Sequence, residues 1–218
     1  TSYDSDSLWS YEAGVKSSLA DNKVTLNGAV YLIQWSDVQQ LNRLACGFQF
    51  VQNAGEAESK GFELELNAAP MQGLNLSLGI GYTNAEITKD GGVPGVSVGD
   101  KIQGVPDVTY TGSAQYMFEV SQGWEMMLRA DANHYGESFS SNNEASAATQ
   151  RQRDAWSAVN LRVGMFSDTY EVTLFVDNAT DERINLADSR SIAAETPGRQ
   201  RLVTSRPRTV GIEARMRF

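Results

Sequence analysis

Apolar and polar residues alternate along most of this chain, and the pattern is clearest at its end. Val210, Ile212, Ala214, Met216 and Phe218 are apolar, with Gly211, Glu213, Arg215 and Arg217 between them. A strict period of two is the mark of a strand with one oily face and one wet face. The same alternation predicts strands over 7–19, 24–35, 60–68, 74–84, 107–118, 124–135, 157–166 and 170–178, and the terminal one over 209–218. Turn-forming residues punctuate it at Asp21-Asn22, Pro70 to Gly73, Ser121-Gln122-Gly123 and Ser167-Asp168-Thr169.

Three regularities accompany the alternation. Charge is one-sided: Glu12, Lys16, Glu63, Glu65, Glu125, Arg129, Asp131, Arg162, Glu171, Asp177, Glu213, Arg215 and Arg217 all fall on the polar parity. Connections alternate in length, short near 20–23, 69–73, 119–123 and 167–169 and long over 36–59, 85–106, 136–156 and 179–208. Aromatics bracket the strands, with Phe118, Trp124, Phe166, Tyr170 and Phe218 at the short-turn level and Trp9, Tyr82 and Tyr110 toward the other end. Together these predict an all-β fold, an antiparallel up-and-down transmembrane barrel portion of about nine strands. Its short turns are periplasmic, its long loops extracellular, and its aromatics form two interfacial girdles. A Lys or Arg on the lipid face at the bilayer midplane costs roughly 2–4 kcal/mol, which accounts for the one-sided charge.

Composition changes the picture little. The net charge of −9 argues against a nucleic-acid partner, which would need a basic patch. A mean hydropathy of −0.36 is no test of membrane residence, because a barrel strand averages an apolar face with a polar one. No apolar run approaches the roughly 20 residues of a membrane helix. Cys46 is the single cysteine, so no disulfide or zinc site forms within the chain. The opening Thr1-Ser2-Tyr3 carries no signal peptide, so a processed or excised chain is expected. Nine antiparallel strands cannot close on themselves with antiparallel pairing throughout. Residues 1–218 are therefore expected to be the C-terminal part of a larger barrel.

Three segments resemble the barrel of TonB-dependent outer-membrane receptors. They are Asn53-Ala54-Gly55-Glu56-Ala57-Glu58-Ser59-Lys60-Gly61-Phe62-Glu63-Leu64-Glu65, Phe175-Val176-Asp177-Asn178-Ala179-Thr180-Asp181-Glu182-Arg183, and Arg206-Pro207-Arg208-Thr209-Val210-Gly211 leading into the last strand. The resemblance implies a 22-stranded barrel with a plugged lumen. It implies uptake of a scarce nutrient (siderophore, vitamin or oligosaccharide) across the outer membrane of a Gram-negative bacterium. It also implies energy from TonB–ExbB–ExbD acting on a plug domain that this chain does not contain. An aromatic terminus resembles the signal read by the barrel assembly machinery, which assigns Gly211, Ala214, Met216 and Phe218 to that role. The alternatives are a porin-like passive channel and a soluble all-β binding module.

No enzyme chemistry, cofactor or metal centre is expected. His134, the single histidine, falls on the lipid-facing parity of its strand and away from any lumen catalyst. Glu56, Glu58, Glu63 and Glu65 are explained by a polar inner wall rather than by converging metal ligands. Ligand contacts are expected from the long loops and the upper lumen, with Arg190, Arg199 and Arg201 either gripping an anionic ligand or belonging to a solvated mixed-charge surface that can pair with lipopolysaccharide. The expected partners are outer-membrane lipid and lipopolysaccharide, with no nucleic acid. If Phe218 lies opposite Tyr170, Glu171 faces Arg217.

Overall fold

The structure is a computed structural model that describes residues 3–43, 48–53, 55–92, 96–139, 152–189 and 201–217. In chain order its strands are β1 (Ser7–Leu19), β2 (Val24–Ser36), β3 (Gln39–Arg43), β4 (Gln49–Asn53) and β5 (Glu56–Met71). Next come β6 (Leu74–Lys89), β7 (Val108–Ser121), β8 (Trp124–Tyr135), β9 (Ser138–Phe139) and β10 (Gln152–Arg153). The series ends with β11 (Trp156–Phe166), β12 (Tyr170–Asp177), β13 (Asn185–Ser189), β14 (Arg201–Thr204) and β15 (Thr209–Met216). Nine of them form one sheet in the order β1-β2-β5-β6-β7-β8-β11-β12-β15, every pair antiparallel. The remaining six pair as three ribbons inside the long connections: β3 with β4, β9 with β10 and β13 with β14.

Cross-strand registers carry the alternation across the whole sheet. One row runs Ala13, Val30, Phe62, Tyr82, Val108 and is apolar. The adjacent row runs Gly14, Ala29, Glu63, Gly81, Thr109, Tyr135, Trp156 and faces the other way. Large apolar side chains of the first face lie open, with Val15 at 63%, Leu174 at 55% and Ile212 at 65% exposure. In water such a surface invites association. In a bilayer it is the matching surface, and its apolar band needs to be only about 25 Å tall.

The buried hydrophobic cluster sits above that band. Val38, Ala57, Ile87 and Val96 pack together with Trp35 and Ile102 against them. Ala57 and Ile87 are opposite one another on β5 and β6, on the inward parity. The 96–102 segment folds back along β6, with Ile87 N–H donating to Asp100 O (2.8 Å) and Ile102 N–H to Ala85 O (2.9 Å). At the same level the outward parity carries Glu58, Lys60, Asn84 and Glu86. Polarity therefore inverts where the strands leave the apolar band. Inside becomes greasy and outside becomes charged.

Four expectations need correction. Three of the four long connections are not plain loops, because each pairs part of itself into a ribbon. Lys60 stands on the apolar parity of β5 and marks the upper edge of the band. Phe166 is no lipid girdle residue: it lies on the inward parity of β11, and its ring covers Gly164. The register of the last pair is Tyr170 opposite Met216 and Glu171 opposite Arg215, two residues from the expected one, and β15 ends at Met216. Phe218 lies outside the described residues.

Two glycines of the Asn53–Glu63 segment are dictated by close approach. Gly55 has φ +75°, and a Cβ there would lie 1.8 Å from the Lys89 carbonyl oxygen. At Gly61 a Cβ would lie 1.9 Å from Tyr82 O and 2.7 Å from the Tyr31 hydroxyl. Tyr31 passes over this gap to share a 2.6 Å hydrogen bond with Thr83 Oγ1, so one side chain spans three strands. We expect Gly61→Ala to cost about 1–3 kcal/mol by overpacking. The readout is the temperature at which the folded barrel loses its fast, heat-modifiable band on unboiled gels. Unchanged mobility would show that the gap is not required.

Candidate functional site

The inward wall carries a charge network over four strands. Arg129 of β8 donates to both carboxylate oxygens of Asp131 (2.9 and 2.6 Å) and to Gln115 Oε1 on β7 (3.0 Å). Arg162 of β11 lies directly opposite Arg129. Like charges so placed repel. Asp131 stands between them, 3.8 Å from Arg162, and Arg162 also donates to Asp177 of β12 at 3.1 Å. Further along, Glu171 takes Arg215 at 3.4 Å and Arg217 at 3.6 Å. The expected pairing of Glu171 with Arg217 thus exists, but Arg215 is the direct cross-strand partner. Half-exposed pairs of this kind contribute up to about 1 kcal/mol each. Their larger effect is to hold a rigid polar surface toward the lumen.

At the loop end of this wall Tyr135 and Trp156 are direct cross-strand partners, with ring centroids 4.4 Å apart and planes 23° from parallel. They share the inward row with Thr109. Asn133 lies one inward position below Tyr135 and Asp131 one below that, so the stacked pair tops a polar wall. Such rings give a flat surface for planar ligand groups. Sequence reading missed the pair, because nothing local fixes the register between β8 and β11.

The segments that resemble the receptor family prove to be loop organisers. Asn53 gathers three strand ends: its Nδ2 donates to Asp4 O (3.0 Å) and Asp37 O (2.8 Å), and its Oδ1 accepts from Asp4 N–H (2.7 Å). Asn178, only 8% exposed, has φ +51°. Its Nδ2 donates to Glu182 O and Arg206 O, both at 3.0 Å, and its Oδ1 accepts from Glu182 N–H at 3.0 Å. Asp181 accepts from Arg208 N–H at 2.8 Å. That backbone bond, helped by the Arg183 and Arg208 charges, holds the Asp181 carboxyl below its ordinary value. The last long connection is thereby stitched shut at its base.

The predicted site residues are dispersed. Ala214 and Met216 lie on the outward face opposite Val172 and Tyr170. Gly211 faces inward beneath the Phe175 ring, where a Cβ would lie 2.3 Å from a ring carbon. Arg201 opens β14 opposite Ser189, whereas Arg190, Arg199 and Cys46 lie outside the described residues. His134 keeps its outward parity. It stacks near Tyr110 (5.6 Å) and its Nδ1 shares a 2.9 Å hydrogen bond with Ser157 Oγ on the lipid-facing rim. Glu63 and Glu65 stand on the inward wall beside Glu12 and Lys16, whereas Glu58, expected there too, falls on the outward parity above the apolar band.

An apolar outward band, a polar inner wall and long connections at one end define the wall of an outer-membrane β-barrel. A family model described as TonB dependent receptor-like, beta-barrel matches residues 6–179, and the chain belongs to that family, which resides in the outer membrane of Gram-negative bacteria. The chain is 33% identical over 129 residues to the metal-pseudopaline receptor of Pseudomonas aeruginosa, a match that covers 58% of this chain and 17% of that protein. Its fold is similar to the ferric yersiniabactin uptake receptor of Yersinia pestis: TM-score 0.78, 19% identity, 98% of this chain and 30% of that one. The siderophore receptor PiuA of Acinetobacter baumannii is similar too, with TM-score 0.73, 18% identity and 95% and 28% covered. The chain thus spans about a sixth of the curated relative's length.

Two outcomes test the stitched loop. Asn178→Ala strips partners from two carbonyls and an amide and should cost about 1–3 kcal/mol, seen as faster hydrogen exchange at Glu182 and Ser205. Because the Asp181 pKa is lowered on folding, its contribution is present above the ordinary carboxyl value and lost as pH falls through the folded one. Protection of the Arg208 amide should therefore fall below about pH 4. Asp181→Asn should abolish that pH dependence.

Proposed function

We propose that residues 1–218 form the C-terminal barrel wall and ligand-facing mouth of a TonB-dependent importer of a small metal chelate of the siderophore type. The observation that carries this is the inward wall itself. It is polar, it carries charge pairs from Arg129 across to Arg217, and it ends at the loop side in the stacked Tyr135–Trp156 pair. The relatives' names support a transport protein rather than an enzyme, and metal or ferric chelates as the class of cargo. Arg190, Arg199 and Arg201 of the last long connection would add cationic contacts to an anionic chelate. Energy would come from TonB–ExbB–ExbD through a plug supplied outside these residues. The outward side chains of β15, Ala214 and Met216 with Phe218 beyond, would be read by the barrel assembly machinery, with Gly211 supplying the close fit under Phe175.

Cells carrying the protein should accumulate radiolabelled metal from a panel that includes metal–pseudopaline and ferric catecholate complexes. Accumulation should stop when TonB is deleted. Tyr135→Ala and Trp156→Ala should each weaken chelate binding about tenfold, the equivalent of about 1.4 kcal/mol, with heat-modifiable folding retained. Uptake that persists without TonB would point instead to a porin-like passive channel.

A further inference from the structure

The stacked Tyr135–Trp156 pair is the last rung of the β8–β11 ladder at the loop end. We propose that Glu182 is the positioning residue of this mouth: its carboxylate ties the end of β11, and with it the Trp156 ring, to the foot of the last ribbon. This role deepens the reading of the pair as a chelate-binding surface, and its effect on binding rests on that reading.

The need for such a tie arises from unequal ladders. β11 pairs with β8 as far as Trp156, but with β12 only as far as Leu161, opposite Val176. Residues 156–160 of β11 therefore run past β12 with one edge that no strand of the sheet covers. An open edge at a strand end is where local unfolding starts. In an antiparallel ladder a residue's N–H and C=O point to the same side, and alternate residues share that side. Val159 and Ser157 both turn toward the missing neighbour. Val159 O accepts from Ala179 N–H at 2.7 Å, and Ser157 N–H donates to Glu182 Oε2 at 3.1 Å. Just below them Asn178 N–H donates to Asn160 Oδ1 at 3.0 Å. Residues 178–182 thus finish the ladder that β12 leaves open, and the Glu182 carboxylate makes the rung next to Trp156.

Glu182 is itself fixed through its backbone. Its N–H donates to Asn178 Oδ1 and its O accepts from Asn178 Nδ2, both at 3.0 Å. The same O accepts from Ser205 Oγ at 3.0 Å. Ser205 closes the foot of the β13–β14 ribbon, because Ile184 N–H donates to Ser205 Oγ (3.1 Å) and Ser205 N–H to Ile184 O (3.0 Å). That ribbon carries Arg201 at the start of β14. Ser157 is held from the other side as well, its hydroxyl sharing a 2.9 Å hydrogen bond with His134 of β8. A connected path therefore runs from the ribbon through Ser205, Glu182 and Ser157 to Trp156, each step a hydrogen bond or a peptide bond. A carboxylate accepts a backbone N–H more strongly than a neutral oxygen does. Loss of this acceptor leaves the rest of the sheet paired but frees the end of β11, so the stacking geometry is what Glu182 governs.

The test uses the full-length receptor labelled with fluorotryptophan, the Trp156 fluorine resonance being assigned by its disappearance in Trp156→Phe. The ring current of Tyr135 shifts this resonance, so Tyr135→Leu marks its position without the stack. Glu182→Met keeps the length of the side chain, removes its acceptor oxygens, and should move the resonance most of the way to that position. Glu182→Gln keeps an acceptor oxygen and should leave the resonance near its wild-type place. With whichever metal–pseudopaline or ferric catecholate complex binds the wild-type protein as the probe, Glu182→Met should weaken binding about fivefold, and should add little in the Trp156→Ala background. Heat-modifiable mobility confirms that each variant is folded. A resonance unmoved in Glu182→Met, an equal shift in Glu182→Gln, or a binding loss undiminished in the Trp156→Ala background would each overturn the proposal. If none of these complexes binds, the transport reading fails and the resonance alone decides the role of Glu182.

Discussion

In hydrocarbon there is no water to satisfy a peptide group, and the rest of this structure follows from that constraint. Each unpaired N–H or C=O would cost several kcal/mol, so a strand that crosses a bilayer must pair along its whole membrane length. The nine-strand sheet meets the demand for its seven inner strands. β2, β5, β6, β7, β8, β11 and β12 each have a neighbour on both sides. Unbroken pairing also forces the side chains into rows, and every row must then match one solvent. The residues of β6 illustrate it: Leu76, Leu78 and Ile80 meet lipid, while Ser77, Gly79 and Gly81 meet the lumen.

The same constraint stops applying above the band, and the chain changes its behaviour there. β5 and β6 run on past the membrane edge, but their outward residues become charged and their inward residues acquire a cover of Val38, Val96 and Ile102. A strand pair with water outside and a loop layer inside is ordinary soluble packing, with its small core of Ala57 and Ile87. The alternation continues unbroken through the boundary while its meaning reverses. This is why the segment Gly55 to Lys60 was hard to read from the sequence. Period two persisted, but Ala57 is a weak hydrophobic signal and Lys60 broke the expected parity.

How much was legible follows from which interactions are local. Strand positions and faces could be read because alternation and short turns sit within one hairpin. The register of β12 against β15 could not, because the two are joined through the long 178–208 connection and no turn sets their offset. A slip of one residue would flip every side chain to the wrong face, but a slip of two preserves all faces. Alternation alone is therefore blind to the difference between Met216 and Phe218 opposite Tyr170. The stacked Tyr135–Trp156 pair was hidden for the same reason, since its two rings come from strands joined by another long connection.

The segments that resemble the receptor family were legible as motifs but not as roles. Their asparagines are spent on the backbone. Asn53 and Asn178 each satisfy three backbone groups on two other stretches of chain, and Gly55 and Gly61 allow approaches no side chain would permit. These are demands of geometry at the point where a strand gives way to a long loop. Any barrel of this shape has to meet them, whatever it binds. Residues that recognise a particular ligand face the opposite demand, because they must differ when the ligand differs. Position in the fold therefore separates the two classes better than residue type does. The organisers sit at the base of the loops with their side chains spent on backbone partners, whereas the rings of Tyr135 and Trp156 stack on each other at the loop end of the inward wall.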